Sequence, residues 1–315
     1  MDKLRGIFLP FPTPFASDGE VDARAVGSNI ARWNETGAAG YVALGSTGER
    51  AHLAERERLT VVEAAREAVP SDLTFVVGIG EHSTRATIDE ARRVAALGAD
   101  ALLVITPHFY RSQMSAEALA AHYEEVADAS PAPVVLYSIP QNTGVAIPPD
   151  AVARLSEHPN VVGLKDSSGD FVGFTETARL VGQKISDGSA RDFALLTGHA
   201  STLYASLAVG ARGGILAAAC AAPRLCVEIY EAFVRGDAER ARSLQTALVP
   251  LARAVTTRYG IGGLKAALDA AGYAGGAVRA PLASPGDEAR REIARLVEEC
   301  TGLFAAGQKA AGGIE

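Results

Sequence analysis

Lys165 is the residue of this sequence whose type and position most directly suggest chemistry. It closes the apolar run 161–165, whereas the other four lysines lie in polar, helical or tail contexts. A lysine amine that has lost its proton is a nucleophile and can form a Schiff base with a ketone. The position therefore predicts an imine-forming lysine. The alternative is a structural lysine at a sheet edge, paired with Asp166.

A tyrosine and two hydroxyl residues occupy comparable positions. Tyr137 ends the apolar run 133–137, and a phenol held in a chain of hydroxyls relays protons well. Ser46 and Thr47 lie in a glycine-flanked turn, where hydroxyls and free backbone N–H groups suit a carboxylate. Each has a plainer interpretation, since strand tyrosines often pack as aromatics and Ser or Thr often caps a helix. Glu49, which follows the turn, is predicted to be structural, with capping of the next helix as one role.

Regular elements must position these residues, and the sequence alternates short apolar runs with amphipathic stretches. The predicted strands are 6–11, 40–44, 74–78, 101–105, 133–137, 161–165, 194–197 and 213–216. The predicted helices are 22–36, 55–68, 83–97, 115–129, 148–156, 171–181 and 200–209. Eight strand–helix alternations in about 220 residues favour parallel strands joined by right-handed crossovers. We therefore predict an α/β protein, a (β/α)8 TIM barrel.

The alternative is a doubly wound open sheet. Such a sheet usually carries a glycine-rich phosphate loop after its first strand, and the stretch 10–14 contains no glycine. After Leu216 the alternation stops, and helices are predicted at 223–235, 237–259, 262–271 and 290–300. The predicted organisation is a barrel over residues 1–222, a helical extension over 223–301 packed on the barrel, and a flexible tail over 302–315.

The C-terminal ends of the strands form the active-site face of a TIM barrel. In this sequence those ends carry Ser46, His108, Tyr137, Lys165 and Gly198. We therefore expect polar and ionisable groups to meet at one mouth of the barrel.

The composition argues against several classes of function. A net charge of −7 without blocks of like charge argues against nucleic acid or an anionic membrane as partner. The three cysteines have no metal-ligand spacing, the six histidines are scattered, and no nucleotide-binding glycine motif is present, so we predict no metal and no nucleotide cofactor. An N-terminus without an apolar core and the lack of an apolar stretch of ~18 residues predict a cytoplasmic protein with reduced thiols.

Three motifs together resemble those of a known superfamily. Gly45-Ser46-Thr47-Gly48-Glu49 resembles the carboxylate-binding loop of the pyruvate-dependent aldolases and lyases, which include dihydrodipicolinate synthase and N-acetylneuraminate lyase. Tyr137 with Pro140, and then Gly163-Leu164-Lys165, resemble their tyrosine and Schiff-base motifs. The resemblance runs from about residue 6 to residue 281. Within this superfamily, the stretches 133–144, 158–167, 260–265 and 279–282 are most similar to mitochondrial-type 4-hydroxy-2-oxoglutarate aldolase.

The resemblance implies a role for each site residue. Lys165 would form the imine and Tyr137 would shuttle protons. The substrate-binding residues would be Ser46 and Thr47 at the 2-oxo acid carboxylate, Ser167 near a second carboxylate, and with them Asn142, Gly198 and Ile215.

Two positions depart from the superfamily pattern. Dihydrodipicolinate synthases usually carry arginine where this chain has Asn142, which argues against their activity. The family commonly also has a tyrosine, in place of Phe109, that extends the proton relay into a neighbouring subunit. Phenylalanine cannot pass a proton, so Tyr110 or water would substitute, or the rate and substrate would differ.

The resemblance implies a Schiff-base-forming aldolase that cleaves 4-hydroxy-2-oxoglutarate to pyruvate and glyoxylate without a cofactor. It also implies a homo-oligomer, a dimer or tetramer. One alternative is another pyruvate aldolase, a 2-oxo acid dehydratase or a dihydrodipicolinate synthase-like lyase. The alternative of another class is a non-catalytic protein that binds a 2-oxo acid.

Overall fold

Eight parallel strands close on one another to form a barrel, in the order in which they occur along the chain. The computed structural model describes residues 3–311, with side chains as far as Leu303. The strands are β1 (Gly6–Pro10), β2 (Gly40–Ala43), β3 (Thr74–Ile79), β4 (Ala101–Ile105), β5 (Val134–Ser138), β6 (Val161–Asp166), β7 (Ala194–Thr197) and β8 (Gly213–Ile215). The predicted (β/α)8 TIM barrel is therefore confirmed, and the open doubly wound sheet is excluded because β8 pairs with β1.

Closure of the barrel depends on two glycines that face each other. Gly6 of β1 pairs with Gly213 of β8, and Gly213 has a φ of +155°, which side chains rarely adopt. A Cβ on Gly213 would lie 1.9 Å from the carbonyl oxygen of Gly6. The last strand can therefore approach the first only because no side chain stands between them.

Helices connect the strands and cover the outside of the barrel. They are α1 (Ala23–Trp33), α2 (Glu55–Ala68), α3 (Thr84–Ala96), α4 (Ala116–Ala129), α5 (Pro140–Thr143), α6 (Pro149–Leu155), α7 (Phe171–Ser186) and α8 (Leu203–Ala208). Asp22, Ser83, Ser115 and Asp170 cap four of them, each accepting a hydrogen bond from a backbone N–H of the first turn.

The strands are buried on both faces, and this produces two apolar cores. The larger core lies between the sheet and the helices, where Trp33 and Tyr123 are fully buried. The smaller one includes Phe8 of β1, Ile215 of the adjacent β8, and Tyr137 of β5. Strands buried on both faces read as continuous apolar runs, which is why the sequence shows them so clearly.

The barrel is followed by four more helices: α9 (Pro223–Val234), α10 (Ala238–Arg253), α11 (Gly260–Ala270) and α12 (Asp287–Ala311). Helix α9 packs on β1 and α10, while α12 packs on α10 and α11. A π-helical turn, Ala254–Arg258, separates α10 from α11, where the sequence predicted one continuous helix over 237–259. Pro250, which lies inside α10 one turn before this irregularity, has no N–H to donate to the helical ladder.

Two further elements differ from those predicted. Helix α12 continues through Ala311, across the start of the predicted flexible tail, in a stretch rich in alanine, the best helix former. The rest of that tail, 312–315, lies outside the described residues. The short helix α5 was not predicted, because one turn is too short to show a helical period.

Candidate active site

Lys165 and Tyr137 lie side by side in the barrel. Strands β5 and β6 place them at paired positions in the register, and both are almost fully buried. Lys165 Nζ lies 4.3 Å from the centre of the Tyr137 ring. Neighbouring residues at the same level of a parallel sheet point the same way, so the register alone brings the amine to the phenol.

Lys165 has no carboxylate partner among residues 3–303, whose side chains the structure describes. The predicted alternative, an ion pair with Asp166, is not formed. Instead, Asp166 Oδ1 accepts a hydrogen bond of 2.6 Å from the backbone N–H of Ser168. Burial raises the pKa of Asp166, an effect that the hydrogen bonds from Ser168 oppose.

Ser46 is hydrogen-bonded to Tyr137. The distance between Ser46 Oγ and Tyr137 Oη is 2.8 Å, and either hydroxyl can donate. Ser46 begins a one-turn 3-10 helix, Ser46–Gly48, in which no side chain caps the backbone. The hydroxyl of Ser46 therefore binds the phenol instead of capping a helix, as the proton-relay interpretation requires.

The turn that carries Ser46 ends at a strained residue, Glu49. Its φ of 53° is in the left-handed region, which is uncommon for a residue with a side chain. The Glu49 side chain is fully buried, and its Oε1 lies 2.6 Å from Nζ of Lys265 in α11, itself only 1% exposed. Glu49 is thus structural, as predicted, but it does not cap the following helix α2, whose N-cap is Ala54.

A second contact ties Glu49 to the C-terminal extension. The backbone N–H of Arg279 donates a hydrogen bond of 2.9 Å to Glu49 Oε2, and the Arg279 guanidinium is paired with Glu57 of α2. Lys265 and Arg279 also lie over the ring of Phe15, at 4.3 and 4.4 Å from its centre. The turn at Ser46 is therefore held by residues more than 200 positions away in the chain.

A cavity of about 370 Å³ opens beside Tyr137. Its size suits a small organic acid. Three predicted site residues line it: Ser46, Tyr137 and Asn142. The other lining residues are Leu44, Gly45, Glu49, Arg50, Ala51, His52, Gly78, Ile79, Gly80, Leu103, Ile105, His108, Thr143, Ile261 and Leu282. Ile261 and Leu282 belong to the C-terminal extension, so the extension helps to form the mouth.

The structure places three more predicted residues at the ends of neighbouring strands. Ile215, in β8, is buried in the same inner core as Tyr137. Ser167 follows β6, and a Cβ on Gly198 would lie only 1.9 Å from its Oγ, so glycine is needed there. Thr47 is half-buried beside Ser46. None of these three residues is among those that line the cavity beside Tyr137, and neither are Thr47 and Lys165, although Lys165 contacts the ring of Tyr137.

Phe109 and Tyr110 lie outside this cavity. They follow β4 and are 69% and 68% exposed, with their rings 5.0 Å apart. Within a single chain neither residue reaches Tyr137. Any part that they play in a proton relay would therefore be in the active site of a neighbouring subunit.

Lys265 is the site residue that sequence reasoning overlooked. The sequence predicts a polar or helical context for it, yet the residue is completely buried. Six of its neighbours in α11 are also buried: Gly262, Gly263, Leu264, Ala266, Ala267 and Leu268. A lysine inside such an unbroken run of small and apolar residues is the signal that could have identified it.

Within residues 3–311 no group of three His, Cys, Asp or Glu side chains is placed to hold a metal ion. Over the same range no helix is both long and apolar enough to cross a membrane. The three cysteines are buried and free of disulfides.

This chain is similar in sequence and in fold to known proteins. The pattern of the dihydrodipicolinate synthetase family matches residues 3–300. A protein from Methanothrix thermoacetophila, named 4-hydroxy-tetrahydrodipicolinate synthase, is 36% identical over 300 residues, which cover 95% of this chain and 98% of that one. A dihydrodipicolinate synthase structure from Thermotoga maritima has a TM-score of 0.89 at 28% identity, covering 95% of this chain and 99% of its own.

A second similar structure contains a ligand. It is the chloride-inhibited dihydrodipicolinate synthase of Acinetobacter baumannii complexed with pyruvate, with a TM-score of 0.86 at 27% identity. It covers 95% of this chain and 99% of the other. The chain described here belongs to the dihydrodipicolinate synthetase family, whose enzymes are lyases that act through a Schiff base between a lysine and pyruvate and use no cofactor.

Proposed function

We propose that this protein is a pyruvate-dependent aldolase in which Lys165 forms the Schiff base and Tyr137 carries protons. The observation that supports this best is the row of three groups at the barrel mouth. Ser46 Oγ lies 2.8 Å from Tyr137 Oη, and Lys165 Nζ lies 4.3 Å from the ring of the same tyrosine. An amine without a carboxylate partner, beside a hydroxyl relay, is the arrangement that imine formation requires.

The chemistry follows from these positions. The neutral amine of Lys165 attacks C2 of a 2-oxo acid, and the carbonyl oxygen leaves as water after Tyr137 delivers protons to it. The resulting iminium withdraws electrons from C3. When the C4 hydroxyl of the substrate loses its proton, the C3–C4 bond breaks to give an aldehyde and an enamine. The enamine is protonated at C3 and hydrolysed, which releases pyruvate and restores Lys165.

Ser46 and Thr47 would bind the carboxylate next to the reacting carbonyl. The backbone of the turn Ser46–Gly48 supplies further N–H groups at the start of a short helix. Binding the carboxylate there would fix C2 relative to the amine, and such positioning contributes a large part of catalysis in reactions of this type.

The substrate that we propose is 4-hydroxy-2-oxoglutarate, cleaved to pyruvate and glyoxylate. The proposal rests on the uncharged Asn142, which lines the cavity where dihydrodipicolinate synthases usually carry arginine. A second candidate is 4-hydroxy-tetrahydrodipicolinate synthase activity, in which pyruvate condenses with a semialdehyde. The names of the relatives favour it, at 33–36% identity.

Trapping the imine tests the proposed chemistry. The protein is incubated with pyruvate and borohydride, and the adduct is mapped by mass spectrometry. We expect it on Lys165 alone, and expect Lys165→Ala to lose both adduct and turnover while unfolding at a similar temperature. Lys265, the other lysine that is buried among residues 3–303, is the internal control. An adduct on Lys265, or none on Lys165, would overturn the assignment.

A substrate panel separates the two candidates. Pyruvate release from 4-hydroxy-2-oxoglutarate is compared with pyruvate consumption in the presence of aspartate semialdehyde. We expect the first reaction to have the higher kcat/KM. The reverse order would favour the synthase. An imine with pyruvate but no turnover of any aldehyde would instead indicate a non-catalytic 2-oxo acid-binding protein.

A further inference from the structure

Arg111 lies at the rim of the cavity, next to a residue that lines it. It begins the short 3-10 turn Arg111–Gln113 after β4 and is exposed. Its side chain extends across Gly144, so that a Cβ on this glycine would lie 2.7 Å from Arg111 Cδ and 2.8 Å from Nη1. Gly144 follows Asn142 and Thr143, two residues of the cavity wall. The guanidinium therefore lies against the segment that forms one side of the mouth.

The other arginines near this cavity are already paired. Arg50, which lines it, has Nη2 2.6 Å from Glu90 and 3.2 Å from Glu81. Arg58 pairs with the same two carboxylates, and the Arg279 guanidinium is held by Glu57. The charge of each of these three cations is therefore already compensated by at least one carboxylate.

Arg111 differs from these arginines in its surroundings. Among residues 3–303 no side chain or backbone group forms a hydrogen bond or ion pair with its guanidinium. The backbone beneath it is fixed, however, since Gln113 N–H bonds Tyr110 O and Met114 N–H bonds Arg111 O. The result is a planar cation with five free donors, presented by an ordered turn at the entrance to the site.

We propose that Arg111 binds the distal carboxylate of the substrate, and that it selects 2-oxo acids with a second carboxylate at the far end of the chain. The inference rests on the proposed function, because it needs the 2-oxo group to be held at Lys165. Asn142 offers only a neutral amide on this wall, whereas a guanidinium can bind a carboxylate through two parallel hydrogen bonds. Gly144 contributes by leaving open the surface along which the arginine lies.

A pair of ligands of equal chain length isolates this contact. 2-Oxoglutarate has the second carboxylate and 2-oxopentanoate lacks it, and both can form an imine without any aldehyde chemistry. The readout is the concentration of each acid that gives half-maximal borohydride-trapped adduct on Lys165. We expect the wild-type protein to be half-saturated at a lower concentration of 2-oxoglutarate.

Three variants complete the test. Arg111→Met should raise the half-saturating concentration of 2-oxoglutarate roughly 10–100-fold, the effect of losing a charge-assisted contact, and leave that of 2-oxopentanoate within about twofold. Arg111→Lys should retain part of the preference because it keeps the charge. Arg242→Met, at an exposed position on α10, is the matched control and should change neither value.

The outcomes separate this inference from the function on which it rests. Arg111 does not recognise the second carboxylate if wild-type protein forms the pyruvate adduct but does not prefer 2-oxoglutarate. The same conclusion follows if Arg111→Met raises the half-saturating concentrations of both acids equally. If neither acid nor pyruvate gives an adduct on Lys165, the Schiff-base function itself fails, and this inference fails with it.

Discussion

At the scale of single residues, the site depends on a hydroxyl pair next to an amine. Tyr137 is buried by its neighbours in the inner core, yet its hydroxyl reaches Ser46. The two interpretations of this tyrosine, packing aromatic and proton carrier, are therefore compatible. Its ring is held by apolar contacts and its oxygen remains available for chemistry.

We predict that Tyr137→Phe lowers kcat by about 10²–10⁴-fold, because proton transfer loses its carrier while the ring stays packed. Ser46→Ala should have a smaller effect, about 10-fold, through the same relay. Steady-state kinetics of both variants and of the double variant test this. If the two residues act as one unit, the double variant is about as slow as Tyr137→Phe alone. If the two reductions in kcat instead multiply in the double variant, Ser46 acts independently of Tyr137.

The catalytic candidates could be read from the sequence, but the residues that support them could not. Lys165 and Tyr137 follow apolar strands, and the barrel topology alone brings strand ends together. Arg111 gives no comparable signal, and the unbroken run of small and apolar residues around Lys265 indicates that the lysine is buried but not what it contacts. The importance of Lys265 comes from Glu49, in a distant part of the chain, and that of Arg111 comes from a glycine on a different loop. Such contacts are set by tertiary packing, which local patterns do not contain.

At the scale of elements, the buried pair Glu49–Lys265 joins the turn at Ser46 to α11. Burial lowers the pKa of Lys265, and the hydrogen bond and charge of Glu49 oppose that shift. Removing one member leaves the other charged, buried and uncompensated. The pair is therefore expected to hold the carboxylate-binding turn in place.

We predict that Lys265→Met destabilises the protein by about 3–5 kcal/mol and raises KM for the 2-oxo acid more than it lowers kcat. Urea unfolding and steady-state kinetics provide the two measurements. Adding Glu49→Leu to Lys265→Met should recover part of the stability, because the unpaired carboxylate is gone, but should not restore KM. A single variant as stable as wild type, with unchanged KM, would contradict this role.

A second element-scale feature is His122, which links α4 to α3. Its Nδ1 lies 2.9 Å from Thr84 Oγ1, while its Nε2 is buried without a partner among the described residues. Burial lowers the pKa of His122 from 6.5 to about 4. The contact between these helices therefore favours neutral imidazole.

We predict a loss of stability in acid that originates at this histidine. Below about pH 6.5 the unfolded chain binds a proton that the folded chain does not, until about pH 4, so stability falls by up to about 3 kcal/mol across this window. The free energy of unfolding of His122→Asn should decline less steeply than that of wild type between these pH values. The same substitution at exposed His82 is the control. Equal slopes for His122→Asn and wild type would refute the prediction.

At the scale of the whole molecule, the fold rests on barrel closure and on the extension that completes the mouth. Closure was predictable because eight apolar runs, each buried on both faces, recur at regular intervals. The pairing of β1 with β8 also requires a glycine at position 213. In the sequence this residue is one of two consecutive glycines, and nothing in the local pattern distinguishes it. The part played by Ile261 and Leu282 in the mouth has no sequence pattern of its own.

We predict that Gly213→Ala destabilises the barrel by at least about 3 kcal/mol or prevents folding, because the new methyl group would collide with Gly6 O. Gly182→Ala is the matched control, since this helical glycine has open space around its Cα. It should be neutral or stabilising by up to about 1 kcal/mol. Thermal unfolding of both variants measures the contrast. Similar melting temperatures for the two would show that β8 can shift to accommodate a side chain.

The hydrogen bond from Arg279 to Glu49 spans 230 positions and has a consequence for the order in which the protein matures. During synthesis the ribosome delivers the turn at Ser46 more than 200 residues before its anchors, Lys265 and Arg279. A nascent chain that still lacks these two residues can form strands, but the Glu49 side chain has no partners to hold it in place. We therefore expect activity to appear only after the segment that carries Lys265 and Arg279 has emerged from the exit tunnel and docked on the barrel.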